Sequence, residues 1–267
     1  MNEENPVSSW DQNQPTFGQW GLIAGIIVIL FCGAAGFLFF AYRTYSQWAE
    51  GRNQQATQVA ATATAEVQYH IDIVNTAREW PLAFFDSFYD NENEWQTGEI
   101  DDDYTTMMTS INGRYIWEAE AKQGFVWRIW PQSDTVSDFY ISVEAQNTSK
   151  NHNAQYGLIF HNNDGSYNYL EIRDNQSFRV LNLYEQEWIE LIPSTFSALI
   201  QPGEANHLEV VAQSGIFYIL INGELVGQTS SSYPTEGQVG LAIGLSEVGE
   251  TATIEFDNFE FRFPTSP

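Results

Sequence analysis

The sequence predicts an all-β protein, a two-sheet antiparallel jelly-roll sandwich preceded by one transmembrane α-helix and a partly helical stalk. Three observations carry this reading. Residues 21–41 hold no charge. After Pro81 the chain breaks into ten or more short runs of alternating apolar and polar residues. Those runs are punctuated by Asn112-Gly113, Asp164-Gly165, Asn222-Gly223 and, more weakly, Ser214-Gly215, which are hairpin signals. A hydrophobic content of 43 %, with 15 % aromatic residues, is enough to build a core and excludes wholesale disorder.

Residues 1–19 form a short polar tail with Glu3, Glu4 and Asp11 and no Lys or Arg, which argues against a cleaved signal peptide. Residues 20–42 read as a membrane helix. The stretch GLIAGIIVILFCGAAGFLFFA would cover roughly 30 Å, the hydrocarbon thickness of a bilayer. Trp20 and Tyr42 flank it as interfacial aromatics. Gly21-x-x-x-Gly25 offers a close approach to a second helix, and so an oligomer through the membrane. Arg43 and Arg52 follow the span and no basic residue precedes it, a bias of two charges toward a cytoplasmic C-terminal part. Large domains cross largely regardless of charge, and a cysteine-free acidic sandwich behind a polar stalk reads as exported. The expected location is the cell membrane, single-pass, with the C-terminal domain outside the cytoplasm.

Residues 43–81 are an Ala/Thr/Gln-rich stalk, expected to continue the helix and fray within the Ala-Thr run. It resembles the stalks that follow single membrane helices in bacterial surface proteins. Trp80-Pro81 closes any helix. Residues 82–264 form the sandwich, and residues 265–267 a tail. Alternation assigns faces in the sandwich. Phe139, Ile141 and Val143 oppose Tyr140, Ser142 and Glu144; Tyr156, Leu158 and Phe160 point in, Ile159 and His161 out. Leu170 and Ile172 point in, against Tyr167, Tyr169, Glu171 and Arg173. Phe178 and Val180 point in, against Arg179.

Three segments then carry a resemblance: the opening FFDSFYDNENEW, the middle YGLIFHNNDGSYNYLEIRDNQSFRVLNL, and the closing INGELVGQTSSSYPTEGQVGLAIG with IEFDNFEFRF. Together they resemble a concanavalin A-like, LamG-like jelly roll, close to the bacterial 3-keto-disaccharide hydrolase-type domain, over roughly Phe84 to Phe263. The resemblance implies that the first and last strands lie side by side, with Phe85-Asp86-x-Phe88 mirroring Phe256-Asp257-x-Phe259. The fold hosts lectins, adhesion modules and glycosidases alike, so it leaves function open.

The residues narrow the chemistry. The formal charge of −25, from 10 basic and 35 acidic residues, repels phosphate backbones and excludes nucleic acid as a partner. The single cysteine, Cys32, lies in the apolar run, so thiol catalysis and thiolate metal sites have no basis. No Gly-rich phosphate loop supports a nucleotide cofactor. Asp101–Asp103, Asp134 with Asp138, and Asn162-Asn163-Asp164 offer oxygen ligands to a structural calcium. Glu99-Ile100-Asp101-Asp102-Asp103 begins like a retaining-glycosidase strand but lacks the final Glu and reads as a polar loop; Glu118-x-Glu120 lacks the central Asp.

No catalytic residue is assigned. The expected site is an aromatic, hydrogen-bonding sheet face of Trp130, Tyr140, His161, Tyr167, Tyr169, Glu171, Arg173, Arg179 and Trp188. It suits non-catalytic binding of a carbohydrate or another cell-surface polymer. The alternatives are a glycoside-processing enzyme of the disaccharide hydrolase type and an adhesion module that pairs with a partner protein.

Overall fold

The computed structural model describes residues 17–129 and 134–264; the side chains at 17–21, 23–31, 34–35, 50–51, 53–64 and 127–129 lie outside that description. One helix, α1 (Phe17–Arg78), precedes the strands. The strands are β1 (Leu82–Asp86), β2 (Gly98–Asp101), β3 (Thr105–Ile111), β4 (Tyr115–Ala121), β5 (Phe125–Ile129), β6 (Phe139–Asn147), β7 (Gln155–Asn163) and β8 (Ser166–Arg173). They continue as β9 (Ser177–Tyr184), β10 (Glu187–Phe196), β11 (Asn206–Gln213), β12 (Ile216–Ile221), β13 (Glu224–Ser230), β14 (Gln238–Leu245) and β15 (Thr251–Arg262).

Contacts divide the chain into residues 1–66 and 67–267. In the first unit α1 runs without the fraying expected of the Ala-Thr stretch. Phe37, Leu38, Phe39 and Phe40 are exposed at four consecutive positions, so this part of the helix is apolar all round. Beyond them Tyr45 packs on Trp48 with ring centroids 6.3 Å apart, and the Arg52 guanidinium lies 4.8 Å over the Trp48 ring. Among the described residues no helix is long and apolar enough to cross a membrane. Most of the predicted span, and all of the polar tail up to Thr16, lie outside the described side chains.

The second unit is a sandwich of two antiparallel sheets. The larger runs β13-β12-β11-β6-β15-β4-β3-β2, with β1 also on β15; the smaller runs β10-β9-β8-β7-β14-β5. Strand β15 holds the larger sheet together. Its first half pairs with β4, its second half with β1, and β6 runs along both, with a bulge between Asp257 and Glu260. First and last strands are therefore neighbours, Asp86 opposite Phe259. Strand β2 is a correction to the sequence reading: Glu99 to Asp101 are a short edge strand on β3, not a loop. Thr, Met and small polar residues in β3 gave too weak an alternation to announce the partner.

The core lies between the sheets. Tyr115, Trp117 and Phe256 of the larger sheet meet in edge-to-face contacts at 5.4 and 5.2 Å. Phe160, Leu170, Ile172, Phe178 and Val180 of the smaller sheet face them as the alternation required. The tight turns also follow the sequence. Asp164-Gly165, Ser214-Gly215 and Asn222-Gly223 each place both residues at positive φ, the mirror-image turn that matches strand twist. Glu185-Gln186 does the same between β9 and β10 without a glycine, and so gave no signal.

The end of α1 belongs to this unit. Val74 and Ala77 are buried with Tyr140, Val211, Tyr218 and Leu220 on the outer face of the larger sheet. Arg78, in the last turn, grips the fully buried Glu209 of β11: Nε donates to Oε2 at 2.9 Å and Nη2 to Oε1 at 2.9 Å. Tyr140 donates its hydroxyl to the same carboxylate at 3.0 Å. Removing one partner of such a pair strands a charge in a dry site. Arg78→Ala should destabilise the sandwich by about 2–3 kcal/mol, at the low side of buried pairs because Arg78 keeps some solvent contact. Adding Glu209→Gln should restore part of the loss. Urea unfolding of the full-length chain in detergent, followed by tryptophan fluorescence, reads both; equal stability of wild type and Arg78→Ala would show that the grip contributes nothing.

Candidate functional site

The outer face of the smaller sheet is built by alternation on β8, β9 and β10. On β8 this places Tyr167, Tyr169, Glu171 and Arg173 outward; register sets Tyr169 opposite Leu181 and Glu171 opposite Arg179 on β9. Strand β10 adds Trp188, opposite Leu183, and Glu190, opposite Leu181. Tyr167, Tyr169 and Leu181 pack with Ile159 of β7 and Ala242 of β14 into a small apolar cluster on this face.

Glu171 is the polar centre. Its side chain is buried and accepts from four guanidinium N–H groups. Arg173 Nε and Nη2 reach Oε1 at 3.1 and 2.8 Å, Arg179 Nε reaches Oε1 at 2.6 Å, and Arg179 Nη2 reaches Oε2 at 3.3 Å. One carboxylate thus fixes two arginines, each mostly but not fully covered. Arg179 also turns Nη1 toward the exposed Glu190 carboxylate at 3.8 Å, longer than a hydrogen bond.

Beside this triad a groove of about 630 Å³ crosses the sheet. Trp188, 45 % exposed, stands edge-on to Tyr167 with centroids 5.7 Å apart and an interplanar angle of 85°. Arg179 and Glu190 line the groove near β10, and Gln155 and Ser246 line it near β14, where Gln155 Nε2 donates to the Ser246 hydroxyl at 2.7 Å. Tyr169 is fully buried beneath the face, and its hydroxyl finds no partner among the described residues. Burial pushes that phenol well above its ordinary range, with the Glu171 charge adding to the shift.

The predicted residues therefore divide. Tyr167, Tyr169, Glu171, Arg173, Arg179 and Trp188 come together on one face, but the two tyrosines and Glu171 are its buried floor rather than an open platform. Trp130 lies outside the described residues. Tyr140 belongs to the other sheet, under the end of α1. His161 does not point out: the register shifts after Phe160, φ at His161 is positive, and its ring is buried against Phe139 and Phe217. A bulge turns the period-two rule over at that position. Gln155, Glu190 and Ser246 went unnoticed. Glu190 follows from Trp188 by period two, whereas Gln155 and Ser246 carry no sequence signal and are joined only by the packing of β7 on β14.

Three of the calcium candidates are engaged elsewhere. Asp101 pairs with Lys122; the Asp102 carboxylate accepts from the backbone N–H of Tyr104 and Thr105; Asp138 accepts from the Ser214 N–H. Among the described residues no group of three or more His, Cys, Asp or Glu converges as a metal cage. Glu118 and Glu120 are exposed on the outer face of β4.

No family model matches the chain, and no curated protein matches it. Solved structures do. An endo-β-galactosidase from Clostridium perfringens that releases GlcNAcα1-4Gal matches at a TM-score of 0.52 and 11 % identity, covering 70 % of this chain and 63 % of that one. A carbohydrate-binding module from Bacillus subtilis matches at 0.48 and 17 %, covering 62 % and 96 %. The catalytic domain of a laminarinase from Thermotoga petrophila matches at 0.49 and 11 %, covering 70 % and 99 %. The first of these shows that the sandwich has the fold of a glycan-acting protein. Fold leaves the activity open.

His161 gives a pH handle on the stability of the sandwich. Nε2 lies 2.9 Å from the Ser137 carbonyl and Nδ1 3.2 Å from the Pro234 carbonyl. Burial pulls its pKa below the ordinary value, with the two carbonyls, Asp138 and Glu236 working in the opposite direction. The folded chain then holds fewer protons on this ring than the unfolded chain, so stability falls as pH drops below about 6.5. The stability lost between pH 8 and pH 5 should be smaller in His161→Asn than in wild type, as read by urea midpoints; equal losses would exclude His161 as a contributor.

Proposed function

We propose that the sandwich is a non-catalytic carbohydrate-binding module whose groove on the smaller sheet receives a glycan, with Trp188 as the stacking ring. The observation that carries this reading is the half-exposed Trp188 held edge-on by Tyr167 beside Arg179 and Glu190. Sugar C–H faces lie on such a ring, while a fixed guanidinium and a carboxylate reach hydroxyls. Glycoside hydrolysis needs a free carboxylate pair across the scissile bond. Glu171 cannot serve, because its oxygens are taken by Arg173 and Arg179.

The same proposal places the module at the cell membrane, moored by residues 20–42 and displayed outside the cytoplasm. The apolar ring of Phe37 to Phe40 and the aromatic pair Tyr45 and Trp48 beyond it support a helix leaving a bilayer there.

On a glycan array the full-length chain in detergent should show saturable binding, and Trp188→Ala should weaken it about tenfold without shifting the unfolding midpoint. Unchanged binding in that variant would remove the groove as the site. In cells, the chain should stay with membranes through alkaline carbonate and lose its sandwich to external protease. Recovery in the soluble fraction would refute the anchor, and protection from protease the orientation.

A further inference from the structure

The groove is open along its length and electrically distinctive. It crosses from β10, at one edge of the smaller sheet, to β5, at the other, with Trp188 and Glu190 at one end and Gly124 and Ser246 at the other. At the first end Arg179 is already neutralised: two of its nitrogens are spent on Glu171, which is shared with Arg173, and the third faces Glu190. At the second end the Glu250 carboxylate accepts from the backbone N–H of Ser246 at 2.7 Å and of Glu247 at 2.9 Å, so a second negative charge sits beside the groove wall. Between them the lining is aromatic, aliphatic and amide.

Building on the binding reading above, we infer that the ligand is a neutral oligosaccharide, bound along its chain, and that acidic glycans are rejected. Carboxylates bracket the groove, the remaining arginine charge is internally satisfied, and the chain as a whole carries −25. A uronate or sulfate entering the groove would meet the Glu250 charge at one end and, at the other, two arginines already matched by Glu171 and Glu190, with no unpaired cation among its described walls, a repulsion that specificity can use as readily as attraction. A neutral ring meets a matched set. The 3.8 Å gap between Arg179 Nη1 and the Glu190 carboxylate allows one sugar hydroxyl to accept from the first while it or its neighbour donates to the second. Open ends and a path of roughly 20–25 Å across six strands suit an internal stretch of a polysaccharide rather than a chain terminus.

The test uses the full-length chain in detergent, with calorimetric titration of two sets of oligosaccharides. The neutral set is cellohexaose, laminarihexaose and an N-acetyllactosamine hexamer; the acidic set is hexagalacturonate and a heparin hexasaccharide. At least one neutral ligand should bind about tenfold or more tighter than either acidic one, with affinity changing less than about twofold between 20 and 150 mM salt. Trp188→Ala should weaken that binding about tenfold, and Glu190→Lys should weaken the neutral ligand while admitting an acidic one. Tighter binding of the acidic set by wild type would overturn the inference and leave the binding reading standing. Absence of any binding by a chain that unfolds cooperatively would overturn the binding reading itself. Neutral binding left at wild-type strength by both substitutions would place the ligand elsewhere and overturn the assignment of this groove.

Discussion

A carboxylate removed from water must be matched by hydrogen-bond donors, and on both outer faces of this sandwich arginines supply them. On the larger sheet Glu209 is buried and Arg78 answers it. On the smaller sheet Glu171 is buried and Arg173 and Arg179 answer it together. In a chain with 10 basic residues against 35 acidic ones, three of those ten are committed to two glutamates. Most other acids stay at the surface, where hydration rather than pairing carries them.

The two pairings do different things. Arg78 comes from the last turn of α1, so Glu209 can be satisfied only when that turn lies on the sheet; Val74 and Ala77 then cover Tyr140 and Tyr218. The helix end is thereby part of the folded unit, not a tether to it. On the other face both arginines come from strands adjacent to or continuous with Glu171 itself, so the triad is a local, cross-strand device. It fixes the guanidinium of Arg179 in place, which would lower the ordering cost of the binding proposed for the groove.

The site was partly legible because alternation is a strong signal on regular strands. YNYLEIR and SFRV gave the outward residues of β8 and β9 correctly, since no bulge interrupts their pairing. The same rule misplaced His161, the residue just after a regular stretch, because a register shift after Phe160 turns the backbone there. It also could not distinguish an exposed tyrosine from one sealed beneath its neighbours. Tyr169 faces outward, as read, and is nonetheless buried, because Tyr167, Leu181 and Ile159 close around it.

By itself the sequence determined the all-β class, the inward set of each clear strand and the glycine turns; the neighbouring of first and last strands came only from the family resemblance. The first three depend on local periodicity and turn chemistry, which a chain carries wherever its strands end up. Only the tertiary structure decided that Tyr140 and Tyr169 lie on different sheets, that the end of α1 seals one of them, and that Gln155, Ser246, Trp188 and Glu190 border one groove. Sheet order is set by long-range pairing, β14 settling between β7 and β5, and no short stretch of residues records which distant strand will lie beside it.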